Sequence, residues 1–240
     1  MPAAREDADV ETSSEGYARR FAGPVGRFFL ERQAGATLEL LRPFPLASVL
    51  DVGGGHGQVT GPLVEAGHEV TVLGSDPGCE ARVREWTAAG PARFVSGDLL
   101  APPLGERSFD VVLSYRLLPH VRHWPELVAT LARLARRAVI VDYPTRRSVN
   151  AAADLLFGLK KGVEGNTRPF TVFSDAEIES AFAAHGFVPT GRGPQFFFPM
   201  ALHRALGSAV VAGGLEGAAR ALGLTRALGS PVILRLERRG

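Results

Sequence analysis

Short apolar runs alternate with helix-like segments through the middle of the chain, and this alternation restricts the fold more than any other feature. The runs that have the length and composition of buried strands are 47–52, 68–74, 92–98, 108–115 and 137–143. The helix-like segments between them are 57–67, 77–90 and 123–135. Strands that alternate with helices in this way favour right-handed βαβ units and a parallel sheet covered on both faces.

The two ends of the chain depart from this simple alternation. Residues 1–12 have the composition of a disordered tail, so a single domain is predicted over 13–240. It begins with a short helix that is broken near Gly23-Pro24, followed by a second helix that ends at about Leu41. After the fifth strand the predicted elements are a helix at 150–159, a loop at 160–173, a helix at 174–186 with a Ser174–Glu177 capping box, an interrupted strand at 187–198, two helical pieces at 200–224 and a final strand at 231–239.

Composition and charge exclude several classes of protein. Lys and Arg number 27 against 25 Asp and Glu, a balance too even for a chain whose main task is to grip nucleic acid. Cys79 is the only cysteine, which excludes an internal disulfide framework and a cysteine-rich metal site. The first residues are polar, and no uncharged apolar run approaches the ~20 residues of a membrane span, so we expect a cytoplasmic protein without a membrane span.

The stretch VLDVGGGHGQV carries the strongest functional signal. A buried strand ends at Asp51, and the chain then passes through Gly53, Gly55 and Gly57 before a helix begins. Glycines allow positive φ and let a ligand approach the backbone, and the start of the helix offers unpaired N–H groups. A dinucleotide loop of the form G-x-G-x-x-G would need a third glycine where this chain has Gln58. The stretch therefore predicts a ligand-binding turn preceded by an acid.

This arrangement resembles motif I of the class I S-adenosylmethionine-dependent methyltransferases of the small-molecule type, and the resemblance extends over roughly residues 45–190 and the helices before them. It implies a Rossmann-like, mostly parallel seven-stranded sheet with helices on both faces, in which an antiparallel last strand lies between strands five and six. It also implies that Asp51 and the backbone of the three glycines hold the methionine end of S-adenosylmethionine, whose product is S-adenosylhomocysteine. A side chain at Gly55 is therefore expected to block the cofactor and leave the fold intact.

The later strands carry the other cofactor positions that the resemblance implies. The family's acid for the ribose hydroxyls, at the end of the second strand, falls on Gly74 in this chain. We expect Asp76 to replace it, with Ser75 beside it; the alternative is that Asp76, which precedes Pro77, only caps the next helix. The further expected cofactor contacts are Tyr17 before the first strand, Asp98 and Leu99 after the third, and Ser114 and Tyr115 at the end of the fourth.

Topology brings three segments to the carboxyl edge of the sheet, where ligands bind in folds of this kind. The segments are 13–24, 144–173 and 198–230, and we expect them to form a helical lid. Their apolar side chains, together with Lys160, Lys161 and Arg168, predict a small substrate with an apolar body and an acidic group. In the alternative interpretation, the aromatic residues form the lid's own core and the cations are surface charges.

Two residues that follow strands are candidates for catalysis. Methyl transfer is an in-line displacement in which positioning matters most, and a hydroxyl acceptor also needs a base. His120, after the fourth strand, is the first candidate base, with a local hydrogen bond at a helix entry as its alternative role, and Asp142 is the second candidate. The pair His120 and His123 lacks a third ligand, so no metal site is predicted. The residues Ser114-Tyr115-Arg116-Leu117 stand where DNA base methyltransferases carry their catalytic motifs, so no DNA substrate is expected.

The sequence thus predicts an S-adenosylmethionine-dependent methyltransferase of small-molecule or natural-product biosynthesis, monomeric or homodimeric, that acts on oxygen, nitrogen or carbon. A nicotinamide-dependent oxidoreductase is an alternative that Gln58 and Gly74 disfavour. A non-catalytic binding protein with a methyltransferase-like fold is a second alternative, and it is compatible with Gly74.

Overall fold

The computed structural model describes residues 6–88, 90–149 and 170–240. In this part of the chain, seven strands form one sheet in the order β3-β2-β1-β4-β5-β7-β6. The strands are β1 (Ser48–Val52), β2 (Glu69–Gly74), β3 (Ala92–Ser96), β4 (Phe109–Ser114), β5 (Ala135–Tyr143), β6 (Phe187–Phe196) and β7 (Ser230–Arg238). Strands β1 to β5 are parallel, and β7 is antiparallel to both of its neighbours, β5 and β6. The predicted fold is confirmed, including the place of the last strand.

Helices lie on both faces of this sheet. The α-helices of the described residues are α1 (Ala8–Thr12), α2 (Glu15–Ala18), α3 (Gly23–Leu41), α4 (Thr60–Glu65), α5 (Arg84–Thr87), α6 (Trp124–Leu134), α7 (Asp175–Ala183), α8 (Met200–Leu206), α9 (Ala209–Ala221) and α10 (Leu224–Leu228). The 3-10 helices are Arg19–Phe21, Gly54–His56, Pro77–Arg82 and Leu118–His120. No helix among these is long and apolar enough to cross a membrane.

The side chains of each strand alternate between the two faces of the sheet, so the core is divided into two apolar clusters. On one face Leu50 and Val112 pack with Leu131 of α6 and with Phe182 of α7. On the other face Val49 and Val111 pack with residues of α3 and α4. Successive side chains of a strand point to opposite faces, and because both faces are covered, β1 and β4 are buried along most of their length.

Local signals explain where two elements begin. The capping box at the start of α7 is confirmed: the Ser174 hydroxyl accepts a hydrogen bond from the Glu177 N–H, and the Glu177 carboxylate accepts one from the Ser174 N–H. Helix α3 runs unbroken from Gly23, because Pro24 lies in its first turn, where the missing N–H is not needed. The predicted break therefore falls at the helix start.

The prediction of a disordered tail over residues 1–12 is wrong for its second half. Residues 8–12 form α1, and Ala8 and Asp9 are buried. The composition argument failed because it assumes that charged side chains are solvated, whereas the Asp9 carboxylate accepts a hydrogen bond from the Ser75 N–H. The folded part thus begins before residue 13, and residues 1–5 lie outside the described residues.

Two further predictions differ from the structure or cannot be compared with it. The helix predicted at 77–90 is a 3-10 helix followed by the short α5. The helix predicted at 150–159 lies outside the described residues, as do Lys160, Lys161 and Arg168 of the predicted substrate-binding surface.

Candidate active site

The glycine loop after β1 has a shape that side chains would disfavour. Gly53 and Gly57 have φ angles of +75° and +69°, in the left-handed region that L residues rarely adopt. The Gly53 N–H donates a hydrogen bond of 2.8 Å to the carbonyl of Leu73, which ties the loop to the end of β2. These two glycines are therefore required by the backbone itself.

Asp51, at the end of β1, is a buried acid that the protein leaves without a partner. Its side chain is fully buried, and neither carboxylate oxygen has a hydrogen-bond partner in the described structure. Burial, and then the nearby charge of Asp142, raise the pKa of the Asp51 carboxyl to about 7. A buried carboxylate in this state is unfavourable unless a cation or donor reaches it. The site therefore suits a ligand with a positively charged donor, such as the ammonium of an amino acid.

The packing at the end of β2 explains why this chain has glycine where the resemblance would place an acid. A Cβ on Gly74 would lie 2.8 Å from Cys79 Cβ and 2.8 Å from Phe94 Cζ, so there is no room for a side chain. Asp76, the expected substitute, is exposed, and its Oδ1 accepts the Gly78 N–H at 2.7 Å. This is the geometry of a helix cap, which was the alternative role for Asp76.

A different acid occupies this region. Asp9 of α1 is fully buried; its Oδ2 accepts the Ser75 N–H at 2.8 Å, and its Oδ1 has no hydrogen-bond partner in the described structure. Asp9 Cβ also lies 3.5 Å from the position that a Cβ on Gly53 would take. Asp9 thus joins the end of β2 to the glycine loop. Sequence analysis missed it because an acid in a polar N-terminal segment carries no signal of burial.

Neighbouring atoms of the protein leave no room for a side chain at Gly55. A Cβ at this position would collide with the Ser13 hydroxyl and would lie 2.7 Å from the carbonyl oxygen of Cys79. The expectation that a side chain at Gly55 would leave the fold intact is therefore wrong, because that side chain would displace the segment that follows α1.

The other expected cofactor contacts lie at the carboxyl edge with different degrees of burial. Ser114 is buried, and its hydroxyl donates a hydrogen bond of 3.2 Å to the carbonyl of Val52. Leu99 is buried in the core, whereas Asp98 is partly exposed and accepts the Leu100 N–H at 3.0 Å. Tyr115, by contrast, packs in the cluster on the α3 face, with its hydroxyl 2.9 Å from that of Thr37.

Arg116 organises the region between β4 and β5, and sequence analysis did not assign it a role. Its φ is +55°, a strained conformation that often marks functional positions. Its N–H donates to Asp142 Oδ1 at 2.6 Å, and its guanidinium donates to Gln58 at 2.9 Å and to Gln33 at 2.6 Å. The same guanidinium lies 4.7 Å from the ring centroid of Phe21. Gln58, which departs from the dinucleotide pattern, thus fixes the arginine in place.

A cavity of about 480 Å³ brings the two candidate bases together. His120 and Asp142 both line it. Each of the three expected lid segments contributes to its wall, with Tyr17 from the first, Phe170 from the second and Met200 from the third. Burial raises the pKa of Asp142, and the opposing effects of the Arg116 charge and N–H are smaller. The cavity therefore holds a partly buried group, His120, and a buried group, Asp142, that can each accept a proton.

In the described part of the chain, the histidines have different surroundings and no metal centre is found around them. Burial, and then the charge of Arg116, lower the pKa of His56 to about 3, so this residue is neutral. His123 is exposed and lies 3.5 Å from Glu126. Within residues 6–88, 90–149 and 170–240, no group of three or more His, Cys, Asp or Glu side chains is placed to hold a metal ion.

Comparisons with known proteins agree with this geometry. A family model described as a methyltransferase domain matches residues 19–191, which is more than half of the chain. None of the curated protein sequences matches the chain.

Solved structures share the fold at low sequence identity. Magnesium protoporphyrin IX methyltransferase from Synechocystis PCC 6803, with bound S-adenosylhomocysteine, is 18% identical with a TM-score of 0.63, and the match covers 90% of this chain and 87% of that one. A 1,6-didemethyltoxoflavin-N1-methyltransferase from Burkholderia thailandensis is 19% identical with a TM-score of 0.58, over 88% and 79%. The cyclase SpnF is 14% identical with a TM-score of 0.60, over 86% and 80%. The resemblance drawn from the glycine loop is confirmed by the family match. The chain belongs to the methyltransferase domain family.

Proposed function

We propose that this protein transfers a methyl group from S-adenosylmethionine to a small, partly apolar acceptor by in-line displacement. The observation that carries the proposal is the buried, unpartnered carboxylate of Asp51 beside the glycine loop. The methionine end of the cofactor bears an ammonium, which would provide this carboxylate with a charge-assisted hydrogen bond. Two of the solved structures described above contain S-adenosylhomocysteine, which supports the same choice of cofactor.

The other cofactor contacts follow from the positions of the side chains. In the proposal, the backbone of the loop from Gly53 to Gly57 lies against the methionine part. Asp9, held by Ser75, accepts hydrogen bonds from the ribose hydroxyls, which is the role that Gly74 cannot fill. The remaining proposed contacts are Asp98 and Leu99 at the adenine, with Ser114 and Tyr17 along the cofactor.

Apart from Tyr17, the residues that line the 480 Å³ cavity act on the acceptor. The bound cofactor supplies an electrophilic methyl group on a sulfonium. His120 accepts the proton that a hydroxyl acceptor releases, and Asp142 is the second candidate for this task. Arg116, fixed by Gln33 and Gln58, holds Asp142 in place through its N–H. The apolar side chains of the cavity exclude water from the reacting groups.

The family match disfavours the nicotinamide alternative, in agreement with Gln58 at the third-glycine position. The fold alone does not fix the chemistry, since one of the similar structures is a cyclase. A non-catalytic protein with this fold would bind the cofactor without turnover, and this is the outcome that the experiment must separate. A cytoplasmic location and a monomeric or homodimeric state stay predictions.

The proposal is tested first by binding and then by turnover. In a thermal-shift assay, S-adenosylmethionine and S-adenosylhomocysteine should stabilise the protein, by about 2.7 kcal/mol at a hundredfold excess over Kd, and NAD should not. Mass spectrometry of a metabolite extract incubated with methyl-labelled cofactor should then reveal a labelled product. Stabilisation by NAD alone would contradict the proposal, and cofactor binding without any labelled product would favour the non-catalytic alternative.

A further inference from the structure

The described side chains that line the His120 cavity carry more positive than negative charge. Among the described residues that line it are Arg20, Arg116 and Arg204, whereas Asp142 is the only acid. Asp142 and Arg116 balance each other, since the carboxylate accepts the Arg116 N–H and the two charges attract. Once Arg116 is paired with Asp142, two guanidinium groups therefore remain without a matching acid in the described lining of this cavity.

Arg20 and Arg204 lie where two cavities meet. Both residues also line a neighbouring cavity of about 430 Å³, to which Arg19 adds another guanidinium and whose described lining contains no acid. Both are exposed, so they stand at the mouth, whereas Arg116 is partly buried. Arg20 makes a distant ion pair, at 3.6 Å, with the partly exposed Glu11.

The guanidinium of Arg204 is held close to the positive charges of Arg20 and Arg116. One of its nitrogens donates to the Arg20 carbonyl at 3.3 Å, and its guanidinium lies 5.7 Å from the ring centroid of Phe29. Burial, and then the like charges of Arg116 and Arg20, lower the pKa of Arg204. An anion at this point would relieve that repulsion and accept the guanidinium donors in a paired geometry.

The rest of the wall is apolar. Phe21, Phe170 and Met200 line the same cavity, together with several prolines. A volume of about 480 Å³ lies within the range of small-molecule sites, so a single ligand can reach from the arginines to His120.

We propose that Arg204, with Arg20, binds a carboxylate or phosphate of the methyl acceptor, which makes the substrate an amphipathic acid whose apolar body fills the cavity. That the bound molecule is the methyl acceptor rests on the proposed function. The charge preference of the cavity is a property of the apoprotein and is measured separately.

The test uses four eight-carbon probes: octanoate, octyl phosphate, octanol and octylamine. Binding is measured by ligand-observed NMR at low salt, with and without S-adenosylhomocysteine. Octanoate or octyl phosphate should bind about fivefold or more tighter than octanol, with an advantage that shrinks as salt is added, and octylamine should bind least. Comparison of the two anions shows whether the site prefers carboxylate or phosphate.

Variants assign the preference to the arginines. Arg204→Gln should reduce the advantage of the anionic probes by about twofold and leave octanol unchanged, and the double variant with Arg20→Gln should abolish it. Arg204→Lys, which keeps the charge but lacks the paired donors, should retain only part of it. Arg32→Gln is the matched control, because Arg32 stacks on Phe28 and does not line this cavity. Equal binding of octanol and the anions, or an unchanged preference in the double variant, overturns the inference. Absence of S-adenosylhomocysteine binding would instead overturn the proposed function, since the preference is also read without that compound.

Discussion

The Asp9 carboxylate of α1 accepts a hydrogen bond from the Ser75 N–H at 2.8 Å, across 66 positions of sequence. If this acid binds the ribose hydroxyls, Asp9→Asn should weaken S-adenosylhomocysteine binding by about tenfold, because a charged acceptor is replaced by a neutral one. Asparagine keeps an oxygen for Ser75, so the fold should persist. Calorimetry measures the affinity. The substitution should weaken binding of an S-adenosylhomocysteine analogue without the 2′-hydroxyl less than it weakens binding of S-adenosylhomocysteine itself.

The matched control is Asp76→Ala. Because Asp76 caps the helix at Pro77–Arg82, its loss should lower the free energy of unfolding by about 1 kcal/mol and leave the affinity nearly unchanged. If Asp9→Asn binds S-adenosylhomocysteine more tightly than the wild type, α1 blocks the site, and the ribose role of Asp9 is wrong.

Asp51→Asn should weaken cofactor binding without lowering the stability of the fold. The variant removes the buried charge, so its affinity for S-adenosylhomocysteine should fall by about 1.5–3 kcal/mol, the range for a lost charge-assisted hydrogen bond. Isothermal titration calorimetry at pH 8 measures this change. An unchanged affinity would show that the ammonium binds elsewhere.

Asp51→Asn should also change how the free energy of unfolding depends on pH. In the ligand-free fold the Asp51 carboxyl keeps its proton up to pH about 7, whereas in the unfolded chain it loses the proton near its ordinary pKa of about 3.9. The unfolded state thus binds fewer protons between these values, and the free energy of unfolding falls as pH rises from about 4 to about 7. Asp51→Asn should therefore match the wild type near pH 4 and exceed it at pH 8 by up to about 4 kcal/mol.

Chemical denaturation of both proteins at several pH values checks this expectation. His56, whose pKa is lowered to about 3, contributes a slope of opposite sign below pH about 6.5 in both proteins, so the two are compared at each pH. A constant difference between them would contradict the raised pKa of Asp51.

His120→Ala tests the base. On a hydroxyl acceptor, turnover should fall by about 10²–10⁴-fold with little change in cofactor affinity, because the proton acceptor is lost. His123→Ala is the matched control, since His123 is exposed and does not line the cavity. Steady-state kinetics of both variants decide the question. Wild-type turnover by His120→Ala would move the base to Asp142.

Gly55→Ala should reduce stability. Its methyl group would collide with the Ser13 hydroxyl and press on the backbone of Cys79, so we expect a loss of about 1–3 kcal/mol, the range for overpacking. Gly217→Ala, in α9 with open space around its Cβ position, should instead be neutral or stabilising by up to about 1 kcal/mol. Thermal unfolding of both variants measures the contrast, and a stable Gly55→Ala would show that the segment after α1 moves easily.

The parts of the structure that sequence analysis predicted are those that depend on local pattern. The alternation of strands and helices predicted the parallel part of the sheet, and the place of Asp51 follows from the glycines directly after it. The place of the last strand was implied only by the resemblance that the glycine loop carries. Asp9 could not be predicted, because its burial depends on the N–H of a residue 66 positions away. Arg116 is a similar case: its partners, Gln33 and Gln58, come from α3 and from the loop after β1.

The position of β7 between β5 and β6 affects how the chain can fold during translation. Among the described strands β6 pairs with β7 alone, so it can join the sheet only after Ser230–Arg238 has left the ribosome. Until then β5 has an open edge, and unpaired strand edges invite association between nascent chains. The sheet is therefore completed in one late step, when its last strand enters between two strands that were synthesised earlier.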